Sequence, residues 1–79
     1  MRLCDLKSGQ RGRVTALHTV GSMRRRLLDI GLIVGTLVEC VGRSPGGDPA
    51  AYLIRGAVIA IRDCDSANIL IERWDPSWA

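Results

Sequence analysis

One short helical pattern, set alone among β-rich runs, constrains this chain more than any other feature. Residues 22–35 read SMRRRLLDIGLIVG and place Met23, Leu27 and Ile30 at i, i+4 and i+7, a single apolar stripe at helical period. Ser22 stands where an N-cap hydroxyl would accept an orphan amide of the first turn. Gly31 stands where a left-handed residue would stop the helix, and Gly35 marks entry into a strand. No other segment supports a helix of even three turns.

The remaining segments are short and rich in Val and Ile, which favours strands. Leu3 and Leu6 precede a turn-like cluster at residues 7–10. Residues 11–18 read as a first strand and residues 36–41 as a second. Residues 42–49, GRSPGGDP, are dense in breakers and form a loop. Residues 51–62 read as a β-hairpin about Arg55-Gly56. Residues 63–67 fit a single helical or 3₁₀ turn and residues 68–73 a last strand. The tail from Trp74 to Ala79 contains Pro76 and is expected to leave the sheet. Several strands are apolar on both alternating faces, Val58-Ile59-Ala60-Ile61 among them. A small barrel curled around one core, with the helix over an open end, would explain that.

Size and composition bound the class. Seventy-nine residues make one domain, 1–79, and 47% hydrophobic against 24% charged residues lies far from the disordered regime. Cys4, Cys40 and Cys64 are an odd, widely spaced set, unlike a secreted disulfide scaffold. The opening residues hold no apolar run that would serve as a signal peptide, and no segment reaches the roughly 18 apolar residues of a transmembrane helix. These features place the chain in a reducing cytoplasm with its cysteines as thiols. The net charge of +3 permits contact with nucleic acid or anionic lipid without requiring it.

The motifs together resemble the ferrous iron transport protein A family, FeoA. The matching pieces are Leu3-x-x-Leu6-x-x-Gly9, then Arg26-Leu27-Leu28-Asp29-Ile30-Gly31-Leu32-x-x-Gly35, then Pro45-x-Gly47-Asp48-Pro49. Val58-Ile59-Ala60-Ile61-Arg62 and Ala67-Asn68-Ile69-x-Ile71 complete the set. They span nearly the whole chain in the family's order. Family members often carry proline before the glycine equivalent to Gly35, where this chain has Val34; the two-Trp tail also lies outside the pattern. The resemblance implies a mainly β fold, a small SH3-like β-barrel of about five strands with one short α-helix. It also implies a cytoplasmic accessory role beside the ferrous iron permease FeoB, a membrane protein with a cytosolic G-protein domain. The same barrel forms a C-terminal domain of diphtheria-toxin-repressor-type regulators, and with no winged-helix pattern in its sequence this chain is expected to be a free-standing version.

Catalytic chemistry has little to work with. His18 is the one histidine, no Ser, Cys or carboxylate lies near it in sequence, and no phosphate-binding or dinucleotide fingerprint is present. The chain reads as a non-enzyme without a cofactor. Cys4, His18, Glu39, Cys40 and Cys64 are the obvious metal ligands, but their spacing is irregular, and the adjacent Glu39 and Cys40 of a strand face opposite ways. No metal site is assigned, and the cysteines read as small hydrophobes.

Arg24, Arg25 and Arg26 are the sharpest surface feature. Three consecutive helical residues spread over about 200°, so at least two are solvated. One reading is a solvated face with Arg25 or Arg26 anchored to Asp29; the other is contact with an acidic protein surface, inner-leaflet lipid being a lesser option. The expected docking surface is Arg24 and Arg25 with the following Leu32 and Ile33, joined by Trp78, an interface-favoured residue near the terminus. Its expected partner is the FeoB-type permease, leaving the chain peripheral to the membrane through that partner alone. A metal-sensing or nucleic-acid-linked regulatory module is the alternative, though so few aromatics offer little for base stacking.

Overall fold

Alternation of side chains decides the sheet. In β1 (Arg11–Leu17), Gly12 and Val14 face inward while Arg11, Arg13 and Thr15 face solvent. In β2 (Leu37–Arg43), Val38 and Cys40 are buried; in β3 (Ala50–Ile54), Ala50, Tyr52 and Ile54 are. β4 (Ala57–Ile61) buries only Ile61, and β5 (Ile69–Trp74) buries Ile69 and Ile71. The computed structural model describes residues 1–74 and pairs these strands antiparallel in the order β4-β3-β2-β1-β5. Both edge strands send residues into the same core as Val14, Val38, Tyr52 and Ile54, so the sheet curls around one interior.

The helix covers that interior. α1 (Gly21–Asp29) buries Leu27 fully, with Met23 and Ile30 packed beside it, as the stripe predicts. Burying one such aliphatic side chain is worth about 1.5–3 kcal/mol. Ser22 is not the cap: the chain turns at Gly21, φ +65°, so the helix starts one residue early with extended Val20 at the N-cap position. The C-terminus does follow expectation. Gly31, φ +89°, donates to the Leu28 carbonyl at 3.0 Å, and Leu32 donates to the Leu27 carbonyl at 2.9 Å. This paired stop brings the first residue after the glycine back against the last buried turn.

Several boundaries move for tertiary reasons. β2 runs on to Arg43, beyond the expected strand, because Gly42 and Arg43 pair with Ala51 and Ala50 across a register shift. The breaker-rich loop therefore shrinks to residues 44–49, with a cis Asp48–Pro49 bond. Trp74, expected to leave the sheet, stays in it. It pairs with Arg11, whose guanidinium carbon lies 5.2 Å from the indole centroid. Trp78 lies outside the described residues.

The Arg43 guanidinium ties four segments together. It donates to the carbonyls of Cys4 at 2.6 Å, Leu6 at 3.1 Å and Gly47 at 3.0 Å, and to Asp63 Oδ1 at 3.4 Å. It thus holds the N-terminal 3₁₀ turn (Leu3–Asp5), the 44–49 loop and α2 (Asp63–Ser66) against the end of β2. Asp48 Oδ1 accepts the Asp63 amide at 3.0 Å, capping the short α2 from the same loop. In the 3₁₀ turn, the Arg2 amide donates to Asp5 Oδ2 at 2.9 Å and holds that carboxyl below the usual carboxylate range.

Candidate partner-docking surface

The stripe that buries Leu27 leaves the rest of α1 outside. Arg24, Arg25, Arg26, Leu28 and Asp29 are all exposed. Among the described residues none of these arginines pairs with Asp29 or any other carboxylate, so the expected anchoring to Asp29 is absent there. Arg24 instead turns back and donates to the Leu17 carbonyl at 3.2 Å. Arg26 falls in the last helical turn, where a cation is favoured by the helix dipole. Gly21, Arg24, Arg25, Leu28 and Asp29 line a shallow, open depression of about 380 Å³.

Of the two apolar residues expected beside the arginines, one is exposed and one is buried. Leu32 is fully buried, because the helix stop that follows Gly31 folds it onto Leu27, and it drops out of the surface. Ile33 is 50% exposed and Val34, which sequence reasoning passed over, is 61% exposed. The turn presenting them is braced from beneath. Thr36 Oγ1 accepts the Ile33 amide and donates to the Gly31 carbonyl, both at 3.1 Å. The Thr36 amide closes back on the Ile33 carbonyl at 3.0 Å, and β1 holds the same turn through Gly35 N to Val14 O at 2.7 Å. Two apolar side chains are thereby fixed in solvent next to a basic helix. Leu28 and Arg55 also belong to this region. Leu28 lies off the buried stripe, a signal the sequence does contain. Arg55 lies across Gly31, with Nε only 2.9 Å from where a β-carbon would sit, and no sequence signal connects the two.

The metal-ligand residues named from sequence are scattered. Glu39 faces outward and pairs with Arg11 at 3.5 Å, while Cys40 faces the core. Cys4 is half-buried, Cys64 exposed, and both are free thiols, as is Cys40. His18 is exposed at the end of β1. No three His, Cys, Asp or Glu side chains converge among the described residues, and no helix there is long and apolar enough to cross a membrane.

Comparison with known proteins agrees with the motifs. The family model for the FeoA domain matches residues 1–73. The solution structure of a FeoA protein from Chlorobium tepidum is 31% identical, with a TM-score of 0.89 over 95% of this chain and 71% of that one. A fusion of Fe(2+) transport protein A with the Fe(2+) transporter FeoB, from Porphyromonas gingivalis, is 31% identical over 72 residues. That match takes in 91% of this chain, which spans only 8% of the fusion protein's length. Two structures below 25% identity show the fold alone. The zinc complex of FeoA from Stenotrophomonas maltophilia, described as a prokaryotic SH3 domain protein, has a TM-score of 0.81 at 22% identity, over 91% of this chain and 89% of that one. A manganese-dependent transcriptional repressor has a TM-score of 0.82 at 17% identity, over 94% of this chain and 36% of that one. The curled sheet with its single capping helix is an SH3-like fold, and the chain belongs to the FeoA family of ferrous iron transport proteins.

Proposed function

We propose that this chain is a cytoplasmic accessory protein of ferrous iron uptake that binds and modulates a FeoB-type permease by protein–protein contact. One observation carries the reading: in the Porphyromonas gingivalis relative, a domain like this one is continuous with a FeoB transporter in a single polypeptide. Fusion of two domains in one relative supports association of the separate chains in another. The docking surface is the exposed face of α1, where Arg24 and Arg25 line one depression with Leu28, together with the braced Ile33-Val34 turn that follows the helix. Guanidiniums with no carboxylate partner among the described residues, on the same helix as exposed Leu28, suit an acidic protein surface, with charge steering the encounter and apolar contact retaining it. The contact does no chemistry on iron; its effect is on the partner, through the cytosolic G-protein domain or another cytosolic segment.

Two measurements test this. Ferrous iron uptake in the native host is expected to fall on deletion of the gene and to recover on its restoration. Titration of the purified chain against the permease's cytosolic segment is expected to show saturable binding. Full uptake after deletion under iron limitation refutes the transport role. Stoichiometric Fe(II), Mn(II) or Zn(II) retained through anaerobic dialysis, without binding to the permease, replaces the adaptor with a sensor or carrier.

A further inference from the structure

The two edges of the sheet are finished differently. The outer edge of β5 is covered by the N-terminal residues, with the Ile71 amide donating to the Met1 carbonyl at 2.7 Å and Arg2 bridging Leu70. Along the outer edge of β4 no strand is paired among the described residues. Natural edges are ordinarily blunted by a charge, a proline or a bulge. β4 has none of these. Its residues are Ala57, Val58, Ile59, Ala60 and Ile61, in unbroken register with β3, whereas the β1–β5 and β2–β3 pairings each carry a shift. Val58 is 62% exposed.

The backbone decides what this edge offers. The two-residue turn Arg55-Gly56 has φ +49° and +85°, the geometry that closes on a hydrogen-bonded pair, here Ile54 and Ala57. Ladder bonding alternates along an antiparallel pair. Ala57, Ile59 and Ile61 therefore direct their amides and carbonyls toward β3, and Val58 and Ala60 direct theirs outward. Charge is polarised along the same edge. Arg55 precedes the strand and forms no ion pair among the described residues. Past its end lie three carboxylates, Asp48, Asp63 and Asp65, against two guanidiniums, Arg43 and Arg62.

We propose that β4 pairs antiparallel with β4 of a second copy of this chain, about a two-fold axis through Ile59. In that register Val58 of each copy faces Ala60 of the other. The outward amides and carbonyls of those residues exchange four hydrogen bonds, two at each equivalent pair. All five positions meet apolar to apolar, as Ala57 to Ile61, Val58 to Ala60 and Ile59 to itself. The Arg55 end of each strand lies beside the Asp63 end of the other, and the Asp63 side chain is 43% exposed. A parallel arrangement would instead set Arg55 against Arg55. The edge is thus complementary to its own reverse, in hydrogen bonding and in charge, which singles out a second copy as its occupant. A contact of one strand edge is smaller than the roughly 1,200–2,000 Å² of a standard interface, so the association is concentration-dependent.

Sedimentation equilibrium of the full chain, from about 10 μM to about 1 mM, reads the outcome. The weight-average mass is expected to climb from 8.6 kDa toward twice that value. Ala60→Pro removes one outward amide and leaves the β3 ladder whole, so it is expected to stay at the monomer mass with an unchanged circular dichroism spectrum. Val58→Lys, which adds a charge to the edge without altering the backbone, serves should the proline disturb the hairpin, and is expected to give the same mass. A wild-type mass fixed at the monomer value overturns the proposal, as does a dimer that both variants keep. A monomer that dimerises only after removal of residues 75–79 assigns the edge to the chain's own C-terminus and overturns it too. So does a monomer whose Val58 and Ala60 amides gain exchange protection only with the permease's cytosolic segment.

Discussion

Arg43 is the polar side chain that ties the most segments of the fold together. Its guanidinium is the common donor for the Cys4 and Leu6 carbonyls of the N-terminal segment, the Gly47 carbonyl of the loop and the Asp63 carboxylate. Arg43→Met keeps the aliphatic stem and removes all four bonds. A hydrogen bond from a charged donor is worth about 1.5–3 kcal/mol when shielded from water. The Arg43 side chain is 28% exposed, so about 1 kcal/mol for each of the three carbonyls is the fitting scale. The ion pair with Asp63, at 3.4 Å and half in solvent, adds about 0.2–1 kcal/mol. The expected loss is therefore about 3–4 kcal/mol, a large share of the roughly 4–12 kcal/mol available to a domain this size. Urea titration followed by far-ultraviolet circular dichroism reads it directly, and thermal melting is expected to fall by roughly 10–25 °C. Arg43→Lys restores the charge but cannot reach four acceptors from one ammonium, so it is expected to recover less than half. Native-state hydrogen exchange is expected to rise first at the Leu6 and Asp63 amides, which the staple keeps in place. A loss below about 0.5 kcal/mol, or a lysine variant equal to wild type, would refute the account of Arg43 as the tie among these segments.

Burial raises the Tyr52 phenol above its usual pKa, and its hydroxyl lies by Ser66 without completing a hydrogen bond. The unfolded chain therefore releases that proton first, so stability is whole below about pH 10 and declines as pH rises toward the folded value. Tyr52 is the only tyrosine, so tyrosinate absorbance reads it alone; an ordinary titration in the folded protein contradicts this, and Tyr52→Phe is expected to remove the alkaline decline. Gly31→Ala is expected to cost about 1–2 kcal/mol for its left-handed backbone, plus a clash with Arg55 that Arg55→Ala relieves. A double-mutant cycle showing no coupling between the two positions would dismiss that contact. Joint Arg24→Glu and Arg25→Glu substitution is expected to weaken binding to the permease's cytosolic segment at least tenfold, at unchanged melting temperature. Undiminished binding would move the docking surface off α1.

Sequence alone settled what depends on near neighbours and local backbone chemistry. The apolar period of Met23, Leu27 and Ile30 placed α1, Gly31 placed its end, and Arg55-Gly56 placed the hairpin, because each signal lies within one turn or one strand of the structure it specifies. The FeoA motifs were legible for the same reason, being runs of local pattern in a fixed order. Whatever required distant segments to meet was hidden. Arg43 looked like a loop residue, yet its acceptors lie as far as 39 positions away. Leu32 looked available beside the arginines, and only the closed helix stop sent it inward. Trp74 looked like the start of a tail until Arg11 gave it a cross-strand partner. The run 58–61 was apolar on both faces, which composition cannot distinguish from burial on both faces. Strand order decided that β4 is an edge, and the uncovered outer face of the sheet leaves Val58 in solvent, since a residue's exposure is fixed by what packs over it and not by its own chemistry.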